Sequence, residues 1–385
     1  MTYDVGTLRA REFPWAARGD AIYLNNGSTG PLPARTVRAI AEFTTLRAEP
    51  YRLTDEHELG TIRRTRELAA ELVGARPTEI ACMVNTTYGI NVAARALPLH
   101  PGDVVLTHDR EFPSNVYPWM ALEKLGVRFE RIPTRDGLPD EEALLHAMRR
   151  PEVRVVTTSW VQFATGYRAD LATIGRECRA RGIYFVVDAI QGIGAATLDV
   201  EACHIDILAC GGQKWLLAPW GSGFVYVREE LARSLEPGVV GWMSVRGSDD
   251  FTRLVDYDYT LHDDARRFEM ITVPYQDFAG FNASVELLLE LGLADVERHV
   301  ASLATLAVEW AADRGDVRLV TPSDPARRAG IVSIAPRDPR AASERLTRAG
   351  IAHSLREGAI RLSPHCYNTE GEVMRALEVM AGGRS

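Results

Sequence analysis

Ile183-Tyr184-Phe185-Val186-Val187-Asp188, followed by Cys210-Gly211-Gly212-Gln213-Lys214-Trp215, is the stretch that decides how this chain folds. The first segment is an apolar run ending in an acid. Such runs form strands buried on both faces, which belong to parallel sheets covered by helices. A carboxylate at the end of so apolar a strand needs a partner, because an unpaired buried charge is costly. Taken alone, Asp188 would equally cap the loop or helix that follows. Lys214 lies between two glycines and the apolar Trp215-Leu216-Leu217. Burial there disfavours the ammonium form and lowers its pKa, whereas a solvated loop lysine would keep an ordinary one.

The same pattern extends outward. Short apolar runs alternate with amphipathic stretches from about residue 21 to 227, and strands are predicted at 79–84, 103–107, 127–132, 153–159, 183–188, 206–210 and 223–227. Helical patterns intervene, as at 170–181, where Leu171, Ile174, Gly175 and Cys178 form one stripe. This is a doubly wound α/β arrangement, a mainly parallel sheet between helix layers, and its ligands gather at the carboxyl ends of the strands. The region 236–274 is rich in Asp, Arg, Tyr and Phe and reads as a long loop. Its Trp242, Arg246, Arg253, Tyr257, Tyr259 and His262 either shape a pocket or form a dimer contact. Helices at 276–290, 293–314, 339–349 and 369–381 mix with short strands near 317–320, 330–334, 351–355 and 360–362. The predicted organisation is an N-terminal arm (1–20), a large α/β domain (21–274) and a smaller C-terminal α+β domain (275–385).

Composition excludes several classes. The chain has 46% hydrophobic and 25% charged residues, as an ordinary globular enzyme does. A net charge of -8 without a basic cluster argues against nucleic acid. No apolar run is long enough for a bilayer, and residues 1–10 lack the core of a signal peptide. Cys82, Cys178, Cys203, Cys210 and Cys366 are scattered without a CxxC pair, so neither a metal nor a disulfide framework is expected. A cytoplasmic protein with free thiols is the expectation.

Asn85-Thr86-Thr87-Tyr88-Gly89-Ile90-Asn91 follows a strand and opens a helix predicted at 90–97. Threonine hydroxyls and free N–H groups at a helix start make an anion site, although N-capping by Thr86 or Thr87 explains them equally. There is no GxGxxG after a strand and no GxxxxGK[ST], so dinucleotide and nucleoside triphosphate readings lack support. Arg361, inside the apolar strand Ala359-Ile360-Arg361-Leu362, should pair with a carboxylate of the protein or of a substrate. Phe112 would be core unless a partner ring makes it a stacking platform. His57-Glu58 lacks HExxH spacing and reads as a solvated helix face, while His365 and Cys366 carry no clear signal alone. A strand-end acid with a glycine-turn lysine is what pyridoxal 5′-phosphate (PLP) requires. The acid keeps the pyridine nitrogen protonated, and the lysine holds the aldehyde as a Schiff base.

Together these motifs resemble the class V aminotransferase family of fold-type-I PLP enzymes, over roughly 23–380. The branch is that of cysteine desulfurases, selenocysteine lyases, kynureninases and isopenicillin N epimerase-like proteins. The resemblance implies that Asn25 and Asn26, in Tyr23-Leu24-Asn25-Asn26-Gly27-Ser28, lie beside the substrate. It implies phosphate contacts from Thr86 and Thr87, and ring stacking by Phe112 in Glu111-Phe112-Pro113-Ser114. Gln162 and Gln191 would approach the cofactor's phenolic oxygen, Asp188 the pyridine nitrogen, and Lys214 the aldehyde. Gln213 stands where many relatives carry a phosphate-binding histidine. Thr272, in Phe268-Glu269-Met270-Ile271-Thr272, would reach the phosphate of a neighbouring subunit, making a homodimer with shared sites. Arg361 would bind the substrate α-carboxylate.

The implied activity is Cα deprotonation of an amino acid, with cleavage of the side chain by C–S type β-elimination as first choice. Transamination and epimerisation are the alternatives. Desulfurases carry a catalytic cysteine upstream of the arginine. The segment 351–358 here is shorter and has none, so a persulfide-forming desulfurase is disfavoured.

Overall fold

The computed structural model describes residues 3–270 and 272–382; residues 1, 2 and 383–385 of the expected terminal segments, and Ile271 of the Phe268–Thr272 run, lie outside them. Two short helices, α1 (Val5–Glu12) and α2 (Pro14–Arg18), lead into β1 (Ile22–Tyr23). Next come α3 (Ala34–Ala48), α4 (Asp55–Val73), β2 (Ile80–Cys82) and α5 (Thr86–Ala96). Strands and helices then alternate: β3 (Val104–His108), α6 (Tyr117–Met120), β4 (Arg128–Ile132), α7 (Glu141–Ala147), β5 (Val153–Ser159), α8 (Leu171–Arg181) and β6 (Tyr184–Asp188). β7 (Ile207–Gly211), β8 (Gly223–Val227) and α9 (Glu229–Ser234) close this part.

The strands make a 7-stranded sheet in the order β2-β8-β7-β6-β5-β3-β4. β7, β6, β5, β3 and β4 are parallel, and β8 runs against both its neighbours. Alternation along each strand divides the core in two. Phe185 and Val187 face Ile174 and Cys178 of α8, while Val186, Ile207 and Ala209 face Ile90 and Ala93 of α5. β4 is one of the two edge strands, and its exposed Arg128 and Arg131 discourage further pairing. The loops after β3, β5, β6 and β7 all leave at the same end of the sheet. Phe112, Gln162, Asp188 and Lys214 follow from that.

After the long 236–274 segment come α10 (Tyr275–Leu291), α11 (Leu293–Ala312), β9 (Val317–Leu319), β10 (Val332–Pro336), α12 (Pro339–Arg348), β11 (Ile351–Ala352), β12 (Ser354–Arg356), β13 (Ala359–Leu362) and α13 (Glu370–Ala381). A second, antiparallel sheet has the order β12-β13-β10-β9. The expected strand 351–355 is broken at His353, because β11 pairs with β1 while β12 turns to β13.

The hydrophobic clusters divide elsewhere than at 274/275. α10 packs on α3 and α4, and its Phe278 and Phe281 belong to cores of the large body. The core of the small sheet gathers Leu303, Val308, Ile334, Ile360 and Leu377 together with Leu24. The segment around β1 therefore belongs to the small body, since its apolar side chain and its strand pairing both lie there. α3 and α4 had not been anticipated. His57 lies exposed on α4, and its ring accepts from the Thr54 backbone N–H in a capping box. Among the described residues no helix is long and apolar enough to cross a membrane.

Candidate active site

β6 ends in Asp188, which is 3% exposed. Its Oδ1 accepts from the Ile190 N–H at 3.1 Å. Burial pushes this carboxyl up to about 7, against the pull of the Ile190 N–H and of Lys214; nearby Glu111 pushes the same way as burial. β7 ends in Gly211 and the turn that carries Lys214. Burial lowers the Lys214 ammonium to about 8, Asp188 opposes that shift, and Arg361 and Arg356 reinforce it. Lys214 is thus a base at near-neutral pH. Its Nζ stands 5.4 Å from the centre of the Phe112 ring. Phe112 is 39% exposed and meets Phe163 edge-on at 5.3 Å, which supplies the partner ring that a stacking platform needs.

At the other end, α5 begins at Thr86, four residues earlier than its apolar stripe suggests. Its cap is Asn85, whose side chain accepts from the Tyr88 N–H, rather than Thr86 or Thr87. The threonines therefore occupy the first turn, where N–H groups lack helical partners. Thr86 Oγ1 accepts from the Gly211 N–H at 2.9 Å, and Thr87 Oγ1 meets Ser114 Oγ at 2.8 Å. A Cβ on Gly89 would come within 2.6 Å of Ala209 Cβ, so only glycine lets this helix start lie against β7. Gln213 Oε1 lies beside Gly211 and is buried without a partner.

Arg361 on β13 is 2% exposed. It donates to the Phe163 carbonyl at 2.7 Å, to Ser28 Oγ at 2.7 Å and to Ser354 Oγ at 3.2 Å. All three acceptors are neutral, and its Nε is buried without a partner. Burial and the charge of Arg356 lower its pKa to about 10. A guanidinium so placed lacks only a carboxylate.

A family model described as aminotransferase class-V matches residues 22–375. The chain belongs to the class-V aminotransferase family. A probable cysteine desulfurase of Methanothermobacter thermautotrophicus is 31% identical over 285 residues, 73% of this chain and 70% of that protein. Isopenicillin N epimerase of Streptomyces clavuligerus is 30% identical over 381 residues, 94% of this chain and 95% of the other. The structure of the cystine C-S lyase C-DES with its product cysteine persulfide is similar at a TM-score of 0.86 and 25% identity, covering 97% of this chain and 100% of that one. Class-V aminotransferases are PLP-dependent enzymes of fold type I, and this chain is one. The donor set suits that group. A buried acid and a deprotonatable lysine lie within electrostatic reach of each other, and the helix start with its hydroxyls is hydrogen-bonded to Gly211 at the head of the Lys214 turn.

Several of the expected residues of this class-V chain spend their side-chain amides on other protein groups. Asn26 is fully buried, donating to the Ser363 carbonyl and accepting from Tyr367 Oη, so both amide atoms are engaged away from a substrate. Asn25, by contrast, accepts from Ser354 Oγ beside Arg361. Gln191 donates to the Gly27 carbonyl and accepts from Trp215 Nε1, each at 2.9 Å, which makes it a brace between two loops of the site. Thr272 is exposed. Cys366 is fully buried with its thiol pushed up by burial, and His365 bridges the Trp215 carbonyl and the Cys366 N–H. Neither is placed for chemistry.

Glu111 was read only as part of a motif. It is a buried hub that accepts from the Ser159 N–H at 2.9 Å, Ser159 Oγ, Gln162 Nε2 at 2.8 Å and, more weakly, Asn115 Nδ2 and Thr158 Oγ1 at 3.4 Å. It therefore ties the loops after β3 and β5 that carry Phe112 and Gln162. Its signal was a carboxylate beside an apolar ring at a strand end.

Proposed function

We propose that this chain is a PLP-dependent lyase that cleaves the side chain of an α-amino acid by β-elimination. The observation that carries the amino-acid part is Arg361, a buried guanidinium with neutral acceptors only, close enough to Lys214 for its charge to lower the lysine's pKa. Arg361 anchors the α-carboxylate, aided by Ser28 and Ser354, and so fixes which bond at Cα faces Lys214. When bound, PLP supplies an aldehyde that captures the amine and a protonated ring that accepts the electron pair left at Cα. Asp188 holds the proton on the ring nitrogen. Thr86, Thr87 and Gln213 hold the phosphate, and Phe112 covers the ring. Lys214 takes the Cα proton, the Cβ–heteroatom bond breaks with its pair going to the leaving group, and Lys214 can return the proton there. A pKa near 8 makes both of its forms accessible.

The β12–β13 connection supports elimination over transfer of sulfur to a cysteine of the enzyme itself. The residues between Arg356 and Ala359 are Glu357 and Gly358, both at positive φ, so the hairpin is closed by two residues with no thiol. Likeness to a cystine C-S lyase points the same way. Epimerisation is the second reading, favoured by the likeness to isopenicillin N epimerase. Thr272 and the exposed aromatic side chains of the 236–274 loop fit a homodimer in which Thr272 reaches the partner's phosphate. The test is incubation of holoenzyme with cysteine conjugates in deuterated water. Pyruvate with ammonia is the expected product. A keto acid with pyridoxamine phosphate, or α-deuterated amino acid of inverted configuration without pyruvate, would replace the lyase reading.

A further inference from the structure

The β12–β13 hairpin carries a second cation toward the same cleft. Ser354 pairs with Arg361, and Arg356 with Ala359, in antiparallel register. Directly paired residues share a face of a sheet, and so do residues two apart on one strand. Ser354, Arg356 and Arg361 therefore project on one side, while Leu355 and Ile360 turn to the small core on the other. The first side is the site: Ser354 and Arg361 there contact Ser28 and Asn25. The two-residue turn at Glu357-Gly358 keeps Arg356 at the hairpin tip over that face.

Arg356 is exposed, and its hydrogen bond runs only to the carbonyl of neighbouring Leu355. Among the described residues it has no carboxylate partner, and Arg361 has none either. Its charge nevertheless reaches the cleft, since it depresses both Arg361 and Lys214. Three cationic groups thus converge, while of the near acids Asp188 already accepts from the Ile190 N–H and faces Lys214, and Glu111 is taken up by five protein donors. One amino-acid carboxylate satisfies Arg361 and leaves Arg356 unanswered.

We propose that Arg356 is a specificity residue that receives a second acidic group, so that the substrate is an amino acid whose side chain ends in a carboxylate or comparable anion. This rests on the amino-acid reading above and narrows it. In an elimination the second acid would lie on the group that departs. Arg356 touches neither Cα nor the cofactor, and its effect is on binding.

The experiment titrates holoenzyme with two isosteric pairs, L-glutamate against L-glutamine and S-carboxymethyl-L-cysteine against its amide, following the cofactor absorbance in a rapid-mixing instrument. The wild type should bind each acid about 5- to 30-fold more tightly than its amide, the factor that 1–2 kcal/mol represents. That preference should shrink as salt rises, because Arg356 is exposed. Arg356→Gln should bring the acid-to-amide ratio close to one, and Arg356→Lys should restore part of it. Since the side chain is exposed and bonded only to its neighbour, unfolding does not confound the variants. Equal binding of acid and amide by the wild type overturns the inference, as does an Arg356→Gln variant that weakens both members of a pair alike. A spectrum that responds to no amino acid at all would instead overturn the amino-acid reading, and this inference with it.

Discussion

Arg361→Met should cost the enzyme its substrate without costing it stability. Burial and the charge of Arg356 pull the Arg361 guanidinium down to about 10. The folded state binds this proton more weakly than the unfolded chain does. The charge therefore opposes folding at every pH well below about 10, and the penalty fades only as pH rises beyond that toward the ordinary arginine value. The shift corresponds to roughly 3 kcal/mol. Methionine removes that penalty while keeping most of the apolar stem. Ser28 and Ser354 still have each other at 3.1 Å, and Ser354 still has Asn25, so the Phe163 carbonyl is the group left unpaired. An orphaned buried acceptor costs about 1–3 kcal/mol. The net expectation is an apo-protein as stable as the wild type or up to about 2 kcal/mol more so, against the loss of ~3–5 kcal/mol that breaking a buried ion pair would bring. Urea and thermal unfolding of both apo-proteins at neutral pH measure this. In the holoenzyme, an amino-acid ligand at a hundred times its Kd should stabilise the wild type by about 2.7 kcal/mol and the variant hardly at all. A variant destabilised by more than about 3 kcal/mol would show that Arg361 holds the fold, and an undiminished ligand shift would show that the carboxylate binds elsewhere.

Other outcomes follow from the same geometry. Glu111→Gln places an amide N–H₂ against donors on one side of the hub, so it should lower stability by about 2–4 kcal/mol and reduce kcat more than it raises KM, read by denaturation and steady-state kinetics. Covalent uptake of PLP by the apo-protein should accelerate with pH around a midpoint near 8, because the neutral amine is the reactive form, and Arg361→Met should move that midpoint upward by removing a neighbouring cation. A midpoint near the ordinary lysine value would contradict the placement of Lys214. Cys366→Ala should leave turnover within about twofold while costing ~1 kcal/mol of stability, because its thiol is buried and unreactive.

The central sheet was legible because its strands are buried on both faces. The runs 153–159 and 223–227 match β5 and β8 to the residue, and the acid and lysine at strand ends lie within electrostatic reach of each other. What escaped was pairwise. α3 carries three arginines and α4 is rich in arginine and glutamate, and their apolar faces become visible only once α10 covers them. The boundary drawn at 274/275 follows the long loop in sequence, whereas the contacts of α10 run back to α3 and α4. Asn26 and Gln191 sit in motif positions and are polar, which marks them as important without saying toward what. Their amides turn out to hold the N-terminal loop to the Ser363–Tyr367 segment and to the Lys214 turn. That bracing explains why Arg361, far along the chain from Ser28, can meet it at 2.7 Å. The carboxylate anchor is assembled from two ends of the sequence, so its precision depends on buried amides rather than on any local motif. Substitutions at Asn26 or Gln191 should therefore reach the chemistry through misplaced Ser28 and Arg361.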